Sequence, residues 1–266
     1  MPRINRIQTV DPSIESNKAL KKPILILTAV PVELMAVLSS LKPLPKRRSI
    51  LRTYIGQETY YFGILGSAVT VVTMCDIGAI GGNSAILATL DAIKYFSPKA
   101  IIMVGIAYGK TSKKQNIGDV LVASQIISYE PERIGRKRDI SRGPISETSP
   151  ILLNRFRNSI DWNYIASDGK EKQYFIGPLL SGEKLIDNLS YKAKLFKKFP
   201  QAIGGDMESI GLYTVASKYK IEWIVVKGIS DWADGSKNDT AQPLAAASAI
   251  SLVAHILKDQ YALDAL

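Results

Sequence analysis

The apolar run at 221–227, IEWIVVK, followed at once by Gly-Ile-Ser-Asp, restricts the fold more than any other stretch of the chain. It is too apolar and too rich in β-branched residues for a surface strand, so it must be covered on both faces. A strand covered twice belongs to a sheet with helices on either side, and open sheets of that kind hold their ligands beyond the carboxyl ends of strands. The run therefore delivers Asp231, with Asp234 close behind, to a cleft. Just upstream, Asp206 and Glu208 open a short amphipathic helix expected over 210–219. Residues 202–235 thus set one carboxylate group at the start of a helix and another past a buried strand.

The remaining segments fit the same architecture. Residues 23–30 (PILILTAV) form an apolar strand, and Pro31 suits the first turn of a helix carrying Glu33, Leu34, Val37, Leu38 and Leu41 at helical spacing. Residues 52–65 form a hairpin around Gly56-Gln57, followed by a strand to Met74, so the sheet is mixed. A helix at 83–96 stops at Ser97-Pro98, and a strand at 100–104 opens into the loop Gly105-Ile106-Ala107-Tyr108-Gly109. A strand follows at 118–124. Residues 129–172 lose periodicity and gather Arg, Gly, Pro and Ser, the mark of a substrate loop, a lid or an interface element. Strand character resumes at 172–180, then Ser181-Gly182-Glu183 turns into a helix, and an Ala-rich helix spans 242–257. The order implies a three-layer α/β/α sandwich around a central mixed β-sheet. One catalytic domain over 22–262 is expected, behind a flexible N-terminal arm at 1–21.

With 266 residues the chain can bury a full core. Its single cysteine, Cys75, permits no internal disulfide and suits a reducing compartment, so a cytoplasmic location is expected, with no membrane span. A net charge of +10 favours anionic partners. The basic residues lie in small scattered groups, including Lys192 to Lys198 (KAKLFKK), without a DNA-reading motif or the interleaved aromatics of a single-strand binding surface, which argues against nucleic acid. Arg133, Arg136 and Arg138 in the irregular segment are the candidates for contacting an anionic tail.

DIGAIGG at 76–82 lacks the spacing of a dinucleotide fingerprint. The one histidine, His255, excludes a multi-histidine metal site and sits in the last helix, where packing is its expected role. No metal or cofactor is called for. What remains is carboxylate chemistry from Glu33, Glu208 and Asp231, suited to an oxocarbenium-like transition state in which one acid protonates the leaving group and another carboxylate activates water or steadies the sugar.

ILTAVPVELMAV, IIMVGIAYGK, NIGDVLVAS, LLSGEKLI, FPQAIGGDMES and VVKGISDWADG resemble, in this order, the motifs of the nucleoside phosphorylase superfamily, most of all its methylthioadenosine/S-adenosylhomocysteine nucleosidases. The resemblance implies a purine N-ribosyl hydrolase with Asp231 as general acid to N7, Glu208 on the ribose hydroxyls beside Met207, and Glu33 activating water. It implies further substrate contacts from Ala107, Tyr108, Gly109, Leu185, Ile186, Ser230 and Trp232, and a homo-oligomer of two or more subunits. Tyr108 replaces a usual glycine, Ile106 a usual serine, and Leu185 a base-stacking aromatic. The long basic segment is similar to that of nucleosidase-like antiphage effectors, which makes ATP or dATP a candidate substrate. Phosphorolysis is disfavoured because TAVPVEL offers no cation and places Glu33 where phosphate would sit. A nucleotide-sensing module is the non-enzyme alternative, with no use for a water-activating glutamate.

Overall fold

A computed structural model describes residues 4–12, 22–110, 114–136, 139–235 and 239–266. Thirteen strands are described among them: β1 (Ile7–Thr9), β2 (Ile24–Thr28), β3 (Ile50–Ile55), β4 (Glu58–Leu65), β5 (Ala68–Met74), β6 (Ala100–Gly109), β7 (Val120–Ser128), β8 (Glu132–Arg133), β9 (Ile140–Ser141), β10 (Ile145–Glu147), β11 (Tyr174–Ser181), β12 (Gly204–Asp206) and β13 (Glu222–Asp231). The helices are α1 (Pro31–Ser40), α2 (Ala85–Phe96), α3 (Pro150–Arg157), α4 (Leu189–Lys198), α5 (Ser209–Tyr219) and α6 (Gln242–Ile256).

The main sheet is mixed. β5, β2, β6 and β13 run parallel, the β3/β4/β5 meander is antiparallel, and β13 meets β7 antiparallel. From β7 the pairing continues in parallel to β11 and β12, and β12 returns antiparallel to the end of β6. Strands β6, β13, β7, β11 and β12 therefore close on themselves at the carboxyl end of β6, leaving no open edge there.

Alternation along the central strands produces two cores. Ile24, Ile26, Ile102 and Val104 face one, with α1, α3 and α6; Leu25, Leu27, Ile101 and Met103 face the other, with α2 and α5. Each such fully buried side chain contributes about 1.5–3 kcal/mol. The Ala-rich α6 lies so close to β13 that a Cβ on Gly228 would sit 2.0 Å from the carbonyl oxygen of Ala245. The three-layer architecture expected from the sequence is the one observed.

Several local expectations need correction. Gly105 to Gly109 is not a loop but the second half of β6, because β13 and β12 supply backbone partners along it. The segment 129–172 holds a small β8/β9 hairpin, β10 and α3, whose Ser149 cap and first-turn Pro150 were its readable signals. The helix after Ser181-Gly182-Glu183 starts only at Leu189. Part of the supposed loose arm is ordered, since Ile7–Thr9 adds a parallel strand beside β3; residues 1–3 and 13–21 lie outside the described residues. At the other end Leu263 is buried, so packing continues past residue 262. No described helix is long and apolar enough to cross a membrane.

Candidate active site

The first carboxylate is set by the β2–α1 junction. β2 ends at Thr28, and Pro31 begins α1 with its fixed φ, so Glu33 falls in the first helical turn. Its Oε2 accepts from the Ala29 N–H at 2.6 Å and the Val30 N–H at 3.2 Å, while Oε1 accepts from the Ile106 N–H at 2.7 Å. Three backbone donors thus fix a buried carboxylate between β2 and β6. Gly105 makes room for it: a Cβ there would lie 2.2 Å from Glu33 Oε1. Gly105→Ala is accordingly expected to displace Glu33 and lower kcat by about 10²-fold with the fold retained, as read by steady-state kinetics beside circular dichroism.

The second group stands where β12 meets α5. Asp206 ends the strand and accepts from the backbone N–H and the hydroxyl of Ser209. Glu208 is the N-cap residue of α5, and its Oε1 accepts from the Gly78 N–H at 3.2 Å. Both carboxylates reach Lys227 of β13, whose Nζ lies 3.4 Å from Asp206 Oδ2 and 3.4 Å from Glu208 Oε2. Lys227 is wholly buried. Burial alone would push its ammonium down, but Glu33, Glu208 and Asp206 together hold it above the ordinary lysine value. Burial raises Glu208, with Asp206 and Glu33 adding to the rise and Lys227 and the Gly78 N–H opposing it. In sequence Lys227 is only the last residue of a covered apolar run, and nothing in residue type pairs it with Asp206 or Glu208.

The third carboxylate depends on a bulge. β13 follows β6 in register as far as Ile229 opposite Ala107, then skips Ser230 so that Asp231 stands opposite Tyr108. Adjacent strand residues ordinarily face opposite sides of a sheet; the extra residue turns both Ser230 and Asp231 into the same cavity. Asp231 Oδ2 accepts from the Ser230 hydroxyl at 2.8 Å and Oδ1 from the Ala233 N–H at 2.9 Å.

That cavity, about 150 Å³, is lined by Glu33, Met207, Glu208, Ser230 and Asp231, with Ala107, Tyr108, Leu185 and Ile186 among its walls. The sequence-predicted residues from five separate strand ends are thereby brought together. Gly109 and Trp232 stand behind the lining, in contact with each other: a Cβ on Gly109 would lie 2.6 Å from Trp232 Cζ3. Arg133 and Arg136 are exposed and do not line the cavity, and Arg138 lies outside the described residues. Among the described residues the basic one at the rim is Lys184, paired with Glu130 at 2.6 Å. Tyr108 is buried, and burial lifts its phenol well above the usual range.

The other candidates fall elsewhere. Cys75 is buried and its thiol is pushed up by desolvation, as fits packing rather than reactivity. His255 lines a shallow surface depression of about 610 Å³ and sits 3.2 Å from Asp161, whose carboxyl it holds below the usual range. Among the described residues no cluster of three or more His, Cys, Asp or Glu is arranged to hold a metal.

A family model described as the phosphorylase superfamily matches residues 23–258, which includes every carboxylate of the cavity. The chain belongs to this superfamily. A death domain-containing ATP nucleosidase of Amphimedon queenslandica is 32% identical over 256 residues, covering 88% of this chain and 48% of the relative. This chain therefore spans about half the length of that relative. A 5'-methylthioadenosine/S-adenosylhomocysteine nucleosidase of Staphylococcus carnosus is 26% identical over 207 residues, covering 77% of this chain and 88% of the relative. In fold, the chain is similar to the nucleosidase of that type from Neisseria meningitidis solved with methylthio-immucillin-A, at a TM-score of 0.73 and 20% identity over 90% of this chain and 99% of the other. Futalosine hydrolase of Helicobacter pylori strain 26695 gives 0.70 and 20% over 91% and 97%.

Proposed function

We propose that this superfamily member hydrolyses the N-glycosidic bond of an adenine-type nucleoside or nucleotide. The supporting observation is the convergence of Glu33, Glu208 and Asp231 on one cavity, around which Lys227 is the buried cation. Asp231 gives a proton to N7 as the C1′–N9 bond breaks, and the bonding pair leaves with the base. Glu208 holds the ribose hydroxyls, and Glu33 takes a proton from the water whose oxygen bonds to C1′. One water is consumed; free base and a sugar with an anomeric hydroxyl result. No cofactor takes part.

Electrostatics favours water over phosphate. Among the described residues Glu33, Asp206 and Glu208 gather around a single buried ammonium, Lys227. Two like charges 4 Å apart repel by about 4 kcal/mol at an effective dielectric of 20, a cost that neutral water does not meet.

Nucleotides are the favoured substrates. Support comes from the name of the ATP nucleosidase relative, the net charge of +10 and the Arg133/Arg136 hairpin. The start of that hairpin is tied to the cavity rim by Glu130–Lys184 and to α4 by Glu132–Lys198 at 2.5 Å. An ATP- or dATP-degrading defence effector fits these features, as does a cytoplasmic location. Ile77 and Leu185 line the cavity yet remain 57% and 65% exposed, which suits closure by a second subunit of a homo-oligomer. The test is chromatography of free base after incubation with methylthioadenosine, AMP, ATP and dATP in phosphate-free buffer. Base release from ATP or dATP in preference to methylthioadenosine is expected; the reverse preference would make the chain a thioether nucleosidase. Arg133→Glu with Arg136→Glu should raise KM for ATP several-fold and leave that for adenosine unchanged, and equal effects on both would remove the hairpin from substrate binding.

A further inference from the structure

Lys192 belongs to what reads in sequence as a solvated basic group, but its side chain is buried on the inner side of α4. Its Nζ donates to the carbonyl oxygen of Trp232 and lies 5.9 Å from the centre of the Trp232 ring. Burial lowers its pKa, against the pull of Asp234 and Asp231. A buried ammonium is a costly way to fill space, since an apolar side chain of similar volume is often neutral or better for stability. Its location suggests what it does.

The carbonyl that Lys192 holds and the Ala233 N–H that Asp231 Oδ1 accepts are two ends of one peptide unit. Rotating that plane would break both contacts together. The turn needs such restraint, because Ala233 has φ +49°, a left-handed conformation unfavourable for a residue with a Cβ, and it is buried. The same turn is tied again where the Gly235 N–H donates to Asp187 Oδ1 at 2.8 Å, just before α4.

We propose that Lys192 is a positioning residue for Asp231: it fixes the Trp232–Ala233 peptide plane, whose N–H then orients the carboxyl toward the leaving base. This rests on Asp231 being the general acid.

The experiment compares Lys192→Met, Lys192→Arg and Asp231→Asn on two substrates: the best purine substrate of the parent chain, and 4-nitrophenyl riboside, whose leaving group departs as a stable anion and needs no proton. Lys192→Met is expected to lower kcat on the purine substrate by about tenfold to a hundredfold with KM little changed, to spare the nitrophenyl substrate, and to be largely rescued by Lys192→Arg. An equal loss on both substrates, or no loss on either, would overturn the proposal. Should Lys192→Met not fold, Lys192→Gln, which keeps a donor without the charge, carries the same comparison. The two readings fail separately. If Asp231→Asn is selective for the purine substrate and the Lys192 variants are not, only the positioning role falls. If Asp231→Asn is not selective, the general acid itself is misassigned.

Discussion

Asp231→Asn is expected to lower the turnover of a purine substrate by about 10²–10⁴-fold, the usual worth of a general acid. The structure explains why the fold should survive. The asparagine carbonyl can still accept from the Ala233 N–H, and its amide can donate to the Ser230 hydroxyl that now donates to Oδ2. Loss of activity with an unchanged melting curve would therefore report on proton donation. A loss confined to KM would instead make Asp231 a binding residue.

Lys227→Met should be the most damaging single change to stability in the site. It leaves Asp206 and Glu208, with Glu33 close by, without the buried ammonium that both contact. Removing one partner of a buried ionic group costs about 3–5 kcal/mol. For a domain of this size that is read as a fall in Tm of roughly 2–4 °C for each kcal/mol. Adding Glu208→Gln should restore part of the loss, because one of the stranded charges is then gone, whereas activity should stay low. A double variant no more stable than Lys227→Met would mean that the three carboxylates do not depend on Lys227.

The sequence was most informative where hydrophobicity and position speak together. The runs ILILT and EWIVV are buried on both faces, and they predict the layered fold because nothing but a covered sheet accommodates them. Glu33, Glu208 and Asp231 could be singled out because each follows or ends a strand, and the structure places them around one cavity. Other features depend on closure in three dimensions. β12 is only Gly-Gly-Asp, too short and too small to read as a strand, yet its backbone completes the ring beside β6. The bulge at Ser230 leaves no signature in residue type, although it aims Asp231. Lys192 looks like ordinary surface charge in sequence and Lys227 like the end of a covered strand, and only their burial against the Trp232 carbonyl and against Asp206 and Glu208 shows their partners. The arginines of the 129–172 segment drew attention by charge; Arg133 and Arg136 do not line the cavity, and among the described residues the cation at its rim is Lys184.

The central claim is that water, and not phosphate, attacks C1′. Mass spectrometry of the sugar product, formed from the best substrate with excess inorganic phosphate present, tests it most directly. A free sugar with an anomeric hydroxyl, formed at the same rate with and without phosphate, is the expected result. A sugar 1-phosphate whose formation rises with phosphate concentration would contradict the roles given to Glu33 and its surrounding carboxylates.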